Sequence, residues 1–277
     1  MREFLKNENI ELYAYVPLSE CKVIKKYLLT KNGFCENAGA IMMLLPYRSH
    51  HTPKNLSVYA SVRDYHAYVE KLWARMEKYL KNKHPLGNFK LFADHSPIDE
   101  VHAACISGLG FIGRNGLLIT EKYSSFVFLC ELVTDVSPKE LGIDEYVKKE
   151  VKTCKNCGKC ASACPSNCMD ETDPRPKTEC LSAITQKKGA LTDDEEKMML
   201  ANGSIWGCDV CQNVCPYTKN AEYTPIEYFN TDVITELDTA LVDSMSDEEF
   251  FPRPFSWRGR DVIRRNCLIY DKMKNRK

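Results

Sequence analysis

The stretch that decides how this chain is read is Cys154-Lys-Asn-Cys157-Gly-Lys-Cys160-Ala-Ser-Ala-Cys164-Pro165. Four cysteines at spacings of two, two and three residues, closed by a proline, bring thiolates close together without help from distant parts of the chain. Nine of the 14 cysteines fall between Cys154 and Cys215, so the cluster is local and does not come from overall composition. A disulfide framework belongs to an oxidising compartment, and nothing in the N-terminal MREFLKNENI provides the apolar run of a secretory signal. In a reducing compartment, clustered cysteines read as metal ligands. Structural zinc ends at four ligands, whereas this run, with further cysteines downstream, suits iron–sulfur cubanes.

A second group, Cys208-Asp-Val-Cys211-Gln-Asn-Val-Cys215-Pro216, is a shorter copy of the first, and Cys180 lies between them. In two-cluster ferredoxins the cysteine before proline ligates the other cluster. That crossover assigns Cys154, Cys157, Cys160 and Cys215 to one [4Fe-4S] cluster, and Cys164, Cys180, Cys208 and Cys211 to a second. Cys168 is a spare thiol. Cys21, Cys35, Cys105, Cys130 and Cys267 are scattered and read as small buried hydrophobes.

Working outward, residues 1–136 alternate between strand and helix patterns. Strands are expected at Ile10–Val16, Ala40–Leu45, Phe89–Ala93, Gly116–Thr120 and Phe126–Thr134. Ala40–Leu45 is apolar throughout, as in a strand buried on both faces. Ser19 is a candidate cap for a helix reaching Thr30, and Ser96-Pro97 for a helix after Asp94. Tyr65, Val69, Leu72, Met76 and Leu80 recur at helical spacing between Val62 and Lys81, which predicts an apolar stripe against a core. Gly108-Leu-Gly110-Phe-Ile-Gly113 matches a dinucleotide fingerprint. Here, however, a helix precedes it and a strand follows, the reverse of what that motif needs, so the glycines read as a tight turn or close approach.

The fold class expected is therefore an α/β (α+β) N-terminal domain over 1–150, followed by a ferredoxin-like double-cluster domain over 151–220 and a C-terminal segment over 221–277. Basic and acidic residues balance at 38 each, so composition alone favours no anionic partner. The balance hides an asymmetry: 221–250 carry nine acidic and no basic residues, and 252–277 carry nine basic and two acidic. The acidic stretch reads as a solvated surface and the basic tail as the place where anionic partners can be argued. The longest apolar run, Ala38–Pro46, is too short to span a bilayer, and a cytoplasmic protein is expected.

Several segments together resemble the epoxyqueuosine reductases. They are Arg63-Asp-Tyr-His66, Phe92-Ala-Asp-His-Ser-Pro-Ile-Asp-Glu100, Gly108-Leu-Gly-Phe-Ile-Gly-Arg-Asn115 and Ser125-Phe-Val-Phe-Leu-Cys-Glu-Leu132. Both cysteine groups follow, the second introduced by Trp206-Gly, then Trp257-Arg-Gly259 and Ile263-Arg-Arg-Asn266. The resemblance implies an oxidoreductase whose N-terminal domain binds cobalamin and whose two [4Fe-4S] clusters feed electrons to the cobalt. It implies reduction of epoxyqueuosine to queuosine in tRNA, with Asp94 as proton donor beside the cofactor and a pKa raised by burial. His95 and Glu100 are then structural hydrogen-bond partners. Carried over position by position, cobalamin contacts fall at Ile119, Thr120, Cys130, Ser182, Gly207, Cys208 and Asp209, with Asp94 beside them. No histidine stands in an Asp-x-His-x-x-Gly context, which fits a cobalamin without a lower histidine ligand.

Partners implied are tRNA or a modified nucleoside and an external electron donor such as ferredoxin or flavodoxin, with no membrane. The chain departs from the pattern at Arg114 (usually lysine), at Cys130 (usually glycine) and in Leu181-Ser-Ala-Ile-Thr-Gln-Lys187. It also ends at Lys277, where longer members continue into helical repeats that grip tRNA, so a short member lacking those repeats is expected. Two other readings use the same residues: this cofactor chemistry on a non-tRNA substrate or a corrinoid protein, and a ferredoxin-like electron carrier.

Overall fold

The computed structural model describes residues 1–148, 153–169 and 176–274. These fall into two compact units that interleave along the chain. The first comprises Met1–Pro46, Tyr65–Lys155 and Asn220–Ile226; the second comprises Tyr47–Asp64, Asn156–Lys219 and Glu227–Lys277. Each unit draws on more than one of the three consecutive segments expected from sequence. The 150/151 boundary itself lies outside the described residues.

In the first unit, strands β1 (Leu12–Pro17), β2 (Gly39–Pro46), β3 (Phe89–Phe92) and β6 (Val127–Thr134) form one sheet in the order β1-β2-β6-β3. Every pairing is antiparallel. An antiparallel sheet commonly leaves one face to solvent, yet all eight residues of β2 are buried. The cause is coverage from both sides. Helices α2 (Lys26–Lys31) and α4 (Glu100–Ile106) share a core with Ala40, Met42, Leu44 and Val133. Helix α3 (Tyr65–Lys83) contributes Tyr68, Val69, Leu72, Met76 and Leu80 to the buried interior and packs against β3. Tyr65 stacks on Phe128 of β6, ring centroids 4.3 Å apart.

Two helix starts differ from expectation. Ser19 lies inside a single 3-10 turn, Leu18–Glu20, and the chain is not helical again until Lys26. Between them the amides of Ile24 and Lys25 donate to the Pro97 carbonyl at 2.9 and 3.0 Å, and Val23 bridges to Ile98. Helix α4 is capped by Asp99, whose side chain accepts from the His102 amide at 3.1 Å, and not by Ser96. Ser96 is drawn inward instead, for a reason given below.

The Gly108–Gly113 run resolves into a small hairpin, β4 (Phe111–Ile112) against β5 (Leu118–Ile119). A Cβ at Gly110 would lie 2.5 Å from the Ile119 carbonyl oxygen, so this glycine exists to let two backbones meet.

In the second unit, short helices α5 (Lys159–Ala163) and α8 (Val210–Asn213), one from each cysteine group, pack on each other. Helices α6 (Leu181–Thr185) and α7 (Asp193–Ala201) build a small core of Leu181, Ile184, Leu191 and Met199 with Ile269. A larger core gathers Leu56, Ile205, Trp206 and Leu237 with residues of α9 (Thr239–Ser244) and α10 (Arg260–Lys274). Here the charge asymmetry finds its meaning. Arg264 of the basic tail forks onto Asp243 at 2.7 and 3.0 Å, Arg260 reaches Asp247 at 3.2 Å, Arg253 reaches Asp232 at 2.8 Å, and Lys274 pairs with Glu236. The acidic stretch is the tail's own counter-charge, because α9 packs on α10 and brings the two segments side by side. Residues 275–277 of the tail lie outside the described residues. Among the described residues, no helix is long and apolar enough to cross a membrane.

Leu72 is fully buried on α3, whereas Glu70 on the same helix is exposed. Leu72→Ala is expected to lower the stability of the first unit by about 2–5 kcal/mol in denaturant titrations, and Glu70→Ala to change it by less than about 0.5 kcal/mol.

Candidate functional site

The Asp94 loop starts where β3 ends. Asp94 adopts a left-handed backbone, φ 58°, a conformation costing an L-residue roughly 1–2 kcal/mol and eased for aspartate. The turn aims its side chain outward: the carboxylate is 77% exposed and stands 3.9 Å from His66 Nε2. The expectation that Asp94 is buried is therefore corrected; left-handed geometry at a strand end projects it away from the interior. His95 is engaged by its neighbours, with Nδ1 3.2 Å from Lys25 Nζ and Nε2 2.9 Å from the Tyr27 hydroxyl.

Two further acids lie by this loop: Glu100, half-buried at the start of α4, and Glu131, buried in the middle of β6. Glu100 Oε1 accepts a long hydrogen bond from the Asp94 amide, 3.4 Å. Burial pushes its pKa up to about 7. Glu131 is fully buried, and burial followed by repulsion from Glu100 pushes its carboxyl well above the usual range. Its Oε1 meets the Ser96 hydroxyl, and Ser96 Oγ also accepts from the Ile98 amide at 3.0 Å. This inward pull removes Ser96 from the capping position. The signal for Glu131 was present in Phe126-Val-Phe-Leu-Cys-Glu-Leu-Val133, where one carboxylate interrupts an apolar strand.

Of the residues assigned to cobalamin by resemblance, Ile119, Thr120 and Cys130 belong to the first unit and are buried. The Thr120 hydroxyl donates to the Ser124 carbonyl at 3.1 Å, closing a turn. Cys130 sits opposite Met43, its Sγ 3.8 Å from the Met43 carbonyl, and burial pushes its thiol well up. Ser182, Gly207, Cys208 and Asp209 gather in the second unit. Thr185 Oγ1 links them, donating to the Ser182 carbonyl at 2.9 Å and accepting from the Gly207 amide at 3.0 Å. Gly207 is obligatory here: φ is 75°, and a Cβ would lie 2.1 Å from Ser57 Oγ. Asp209 accepts from the Val58 amide at 2.6 Å and from Gln212 at 2.9 Å; burial pushes its carboxyl up to about 6. One anchor escaped the sequence reading. Asn266, wholly buried, donates to the carbonyls of Thr185 and Ile205 at 2.7 and 2.8 Å and so tethers α10 to this group.

Seven of the eight cysteines assigned to clusters lie in the second unit, and Cys154 belongs to the first. Cys164, Cys180 and Cys208 are electrostatic neighbours: burial, with Cys180, Asp209 and Cys164 nearby, pushes the Cys208 thiol up to about 11. Iron would supply the positive charge that turns such neighbouring thiols into thiolate ligands. The donor set thus fits a cluster. Among the described residues, no group of three or more His, Cys, Asp or Glu is arranged for a single metal ion. In a cubane each thiolate holds a separate iron, so its ligands surround a larger body. Cys168 lies against the carbonyls of Ser166 and Pro176, at 3.7 and 3.5 Å.

Comparison with known proteins agrees with both halves of this description. Residues 153–218 match the family described as a 4Fe-4S double cluster binding domain. The epoxyqueuosine reductase of Listeria monocytogenes is 33% identical over 214 residues, covering 74% of this chain and 54% of the relative. The chain belongs to the epoxyqueuosine reductase family. That of Bacillus subtilis is 28% identical over 268 residues, covering 91% of this chain and 66% of the relative. The chain thus spans between half and two thirds of the length of these two family members. A crystal structure of epoxyqueuosine reductase with a tRNA-Tyr epoxyqueuosine-modified stem loop shares the fold, with a TM-score of 0.76, 23% identity, and coverage of 97% of this chain and 79% of that one.

The half-buried Glu100 makes a pH prediction with a definite sign. Its folded pKa lies above its unfolded value, so the folded state holds the extra proton, and that contribution to stability is lost as pH rises from about 4.5 through about 7. Relative to Glu100→Gln, the wild-type chain should lose stability across pH 5 to 8, by at most about 1.4 kcal/mol per pH unit in urea titrations. Parallel curves would remove Glu100 from the titrating groups.

Proposed function

We propose that this chain is a cobalamin- and iron–sulfur-dependent reductase that converts epoxyqueuosine to queuosine in tRNA. The observation that carries the reading is the extent of the family match: it runs over 91% of the chain, far beyond the double-cluster domain. A ferredoxin-like carrier would need only the cysteine segment. The tRNA substrate draws on the relatives' name and on the stem-loop complex of a family member.

Cys154, Cys157, Cys160 and Cys215 would hold one cluster, and Cys164, Cys180, Cys208 and Cys211 the other. Ile119, Thr120, Cys130, Ser182, Gly207, Cys208 and Asp209 would contact cobalamin. Bound, these groups supply two electrons at the substrate. Removing the epoxide oxygen as water also takes two protons. Asp94 gives one to the leaving oxygen, and solvent supplies the other. Its exposure lets it meet a substrate directly. An external reductant such as ferredoxin or flavodoxin is required to recharge the clusters.

Anaerobic reconstitution should give about eight irons and one cobalt per chain, and Cys211→Ser about four irons. The loaded protein should turn over epoxyqueuosine-containing tRNA, with the free nucleoside assayed alongside. Asp94→Asn should keep both metals yet lose activity by about 10²–10⁴-fold, the range for a positioned acid. A fully loaded protein that reduces neither substrate would sink the assignment and leave an electron carrier in its place.

A further inference from the structure

We propose that Glu131 and Glu100 share a single proton and, as one unit, clasp the loop that presents Asp94, which makes the pair the positioning element for that carboxylate. Its consequence for turnover rests on the function proposed above; the clasp itself does not.

The Glu100 and Glu131 carboxyls lie close enough to interact, and each has one oxygen on the 94–98 loop. The hydrogen-bond donors that reach them are the Asp94 amide, on Glu100 Oε1, and the Ser96 hydroxyl, on Glu131 Oε1. Ser96 has one hydrogen, and the Ile98 carbonyl, 2.9 Å from Ser96 Oγ, competes for it. Glu131 Oε2 is buried and has no donor at all. Its neighbour is the Glu100 carboxyl, and two carboxylates bring no hydrogen to each other. With one proton between them, the contact becomes a hydrogen bond and the orphaned oxygen is satisfied. With none, two like charges stand in an apolar interior.

The surroundings offer little compensation. Lys25 acts on Glu100 only from a distance, with its ammonium 3.2 Å from His95 Nδ1, while Asp94 adds a further negative charge. On the Glu131 side stand the thiols of Cys130 and Cys21, both pushed up by burial first and by Glu131 next.

The placement explains why this proton matters. Glu100 holds the amide of Asp94 at one end of the loop. Glu131 holds Ser96, which accepts from the Ile98 amide at the other end. The left-handed turn of Asp94 lies between these two anchors. Losing the shared proton sets the two anchors against each other and loosens both ends together.

The test uses the whole chain without cofactors. Infrared spectra of wild-type protein, with and without ¹³C-glutamate, should show a protonated glutamate carbonyl at pH 7 that is absent in the double variant Glu100→Gln/Glu131→Gln. No such band in the wild type at pH 7 overturns the proposal. Hydrogen exchange at the Ile98 amide supplies the second readout. After correction for intrinsic exchange, its protection should fall by about tenfold as the band titrates away, and stay flat with pH in Glu131→Gln, which keeps a neutral donor. Glu131→Leu should lose that protection at every pH, with β2 amides reporting that the sheet is intact. Ile98 protection that ignores pH in the wild type overturns the clasp, whether or not the leucine variant folds. Failure of the proposed reductase activity would leave both measurements standing.

Discussion

The antiparallel pairing of β2 with β6 is the constraint from which the first unit follows. Both strands are covered on two sides, so each side chain of β6 must go into one buried layer or the other, with a period of two. Cys130 turns toward the face that carries Tyr68 of α3, and Glu131 toward the face shared with α4. A one-residue slip would exchange them and put the glutamate among the apolar residues of α3. Because Glu131 cannot reach water, it recruits Ser96 and Glu100. That recruitment shapes the loop, and the loop turns Asp94 into a left-handed conformation that faces outward. The exposed carboxylate thus owes its position to a buried one.

The second unit answers a different problem. Its cysteine segments contain few apolar residues, and its short helices are one or two turns long, too short to persist unaided. Apolar support comes from 227–274, whose helices contribute Val242, Val262, Ile263 and Ile269 to the cores beneath the cysteine groups. The ion pairs between acidic stretch and basic tail are mostly exposed and screened by solvent, so they orient the two segments more than they stabilise them. Their main consequence is that much of the tail's positive charge is already matched within the chain, which leaves less of it for a phosphate partner than the sequence count suggested.

Much of this was legible in residues alone. The 2-2-3 cysteine spacing, the stripe Val69, Leu72, Met76 and Leu80, and the apolar run of β2 each encode a local periodicity that tertiary context does not override. The hairpin at Gly108–Gly113 was legible in outline, because its order relative to helix and strand ruled out a nucleotide turn. Caps were less so. Ser19 and Ser96 carry the right side chain, but a cap is decided by which oxygen the first-turn amides meet, and Asp99 wins that contest at α4. The charge asymmetry was visible while its pairing was not, since nothing in 221–277 read linearly says that one half folds onto the other.

Sequence by itself therefore determined the chemistry available to this chain: seven thiols in two ferredoxin-like groups with Cys180 between them, an aspartate followed by serine and proline, and the order of strands and helices. Those features depend on spacing, which the covalent chain preserves however it folds. Only the tertiary structure decided which acids are buried, which way Asp94 faces, and that two stretches of opposite charge neutralise each other. Burial and pairing arise between residues far apart in sequence, and the free energy of a charge depends on what surrounds it in space.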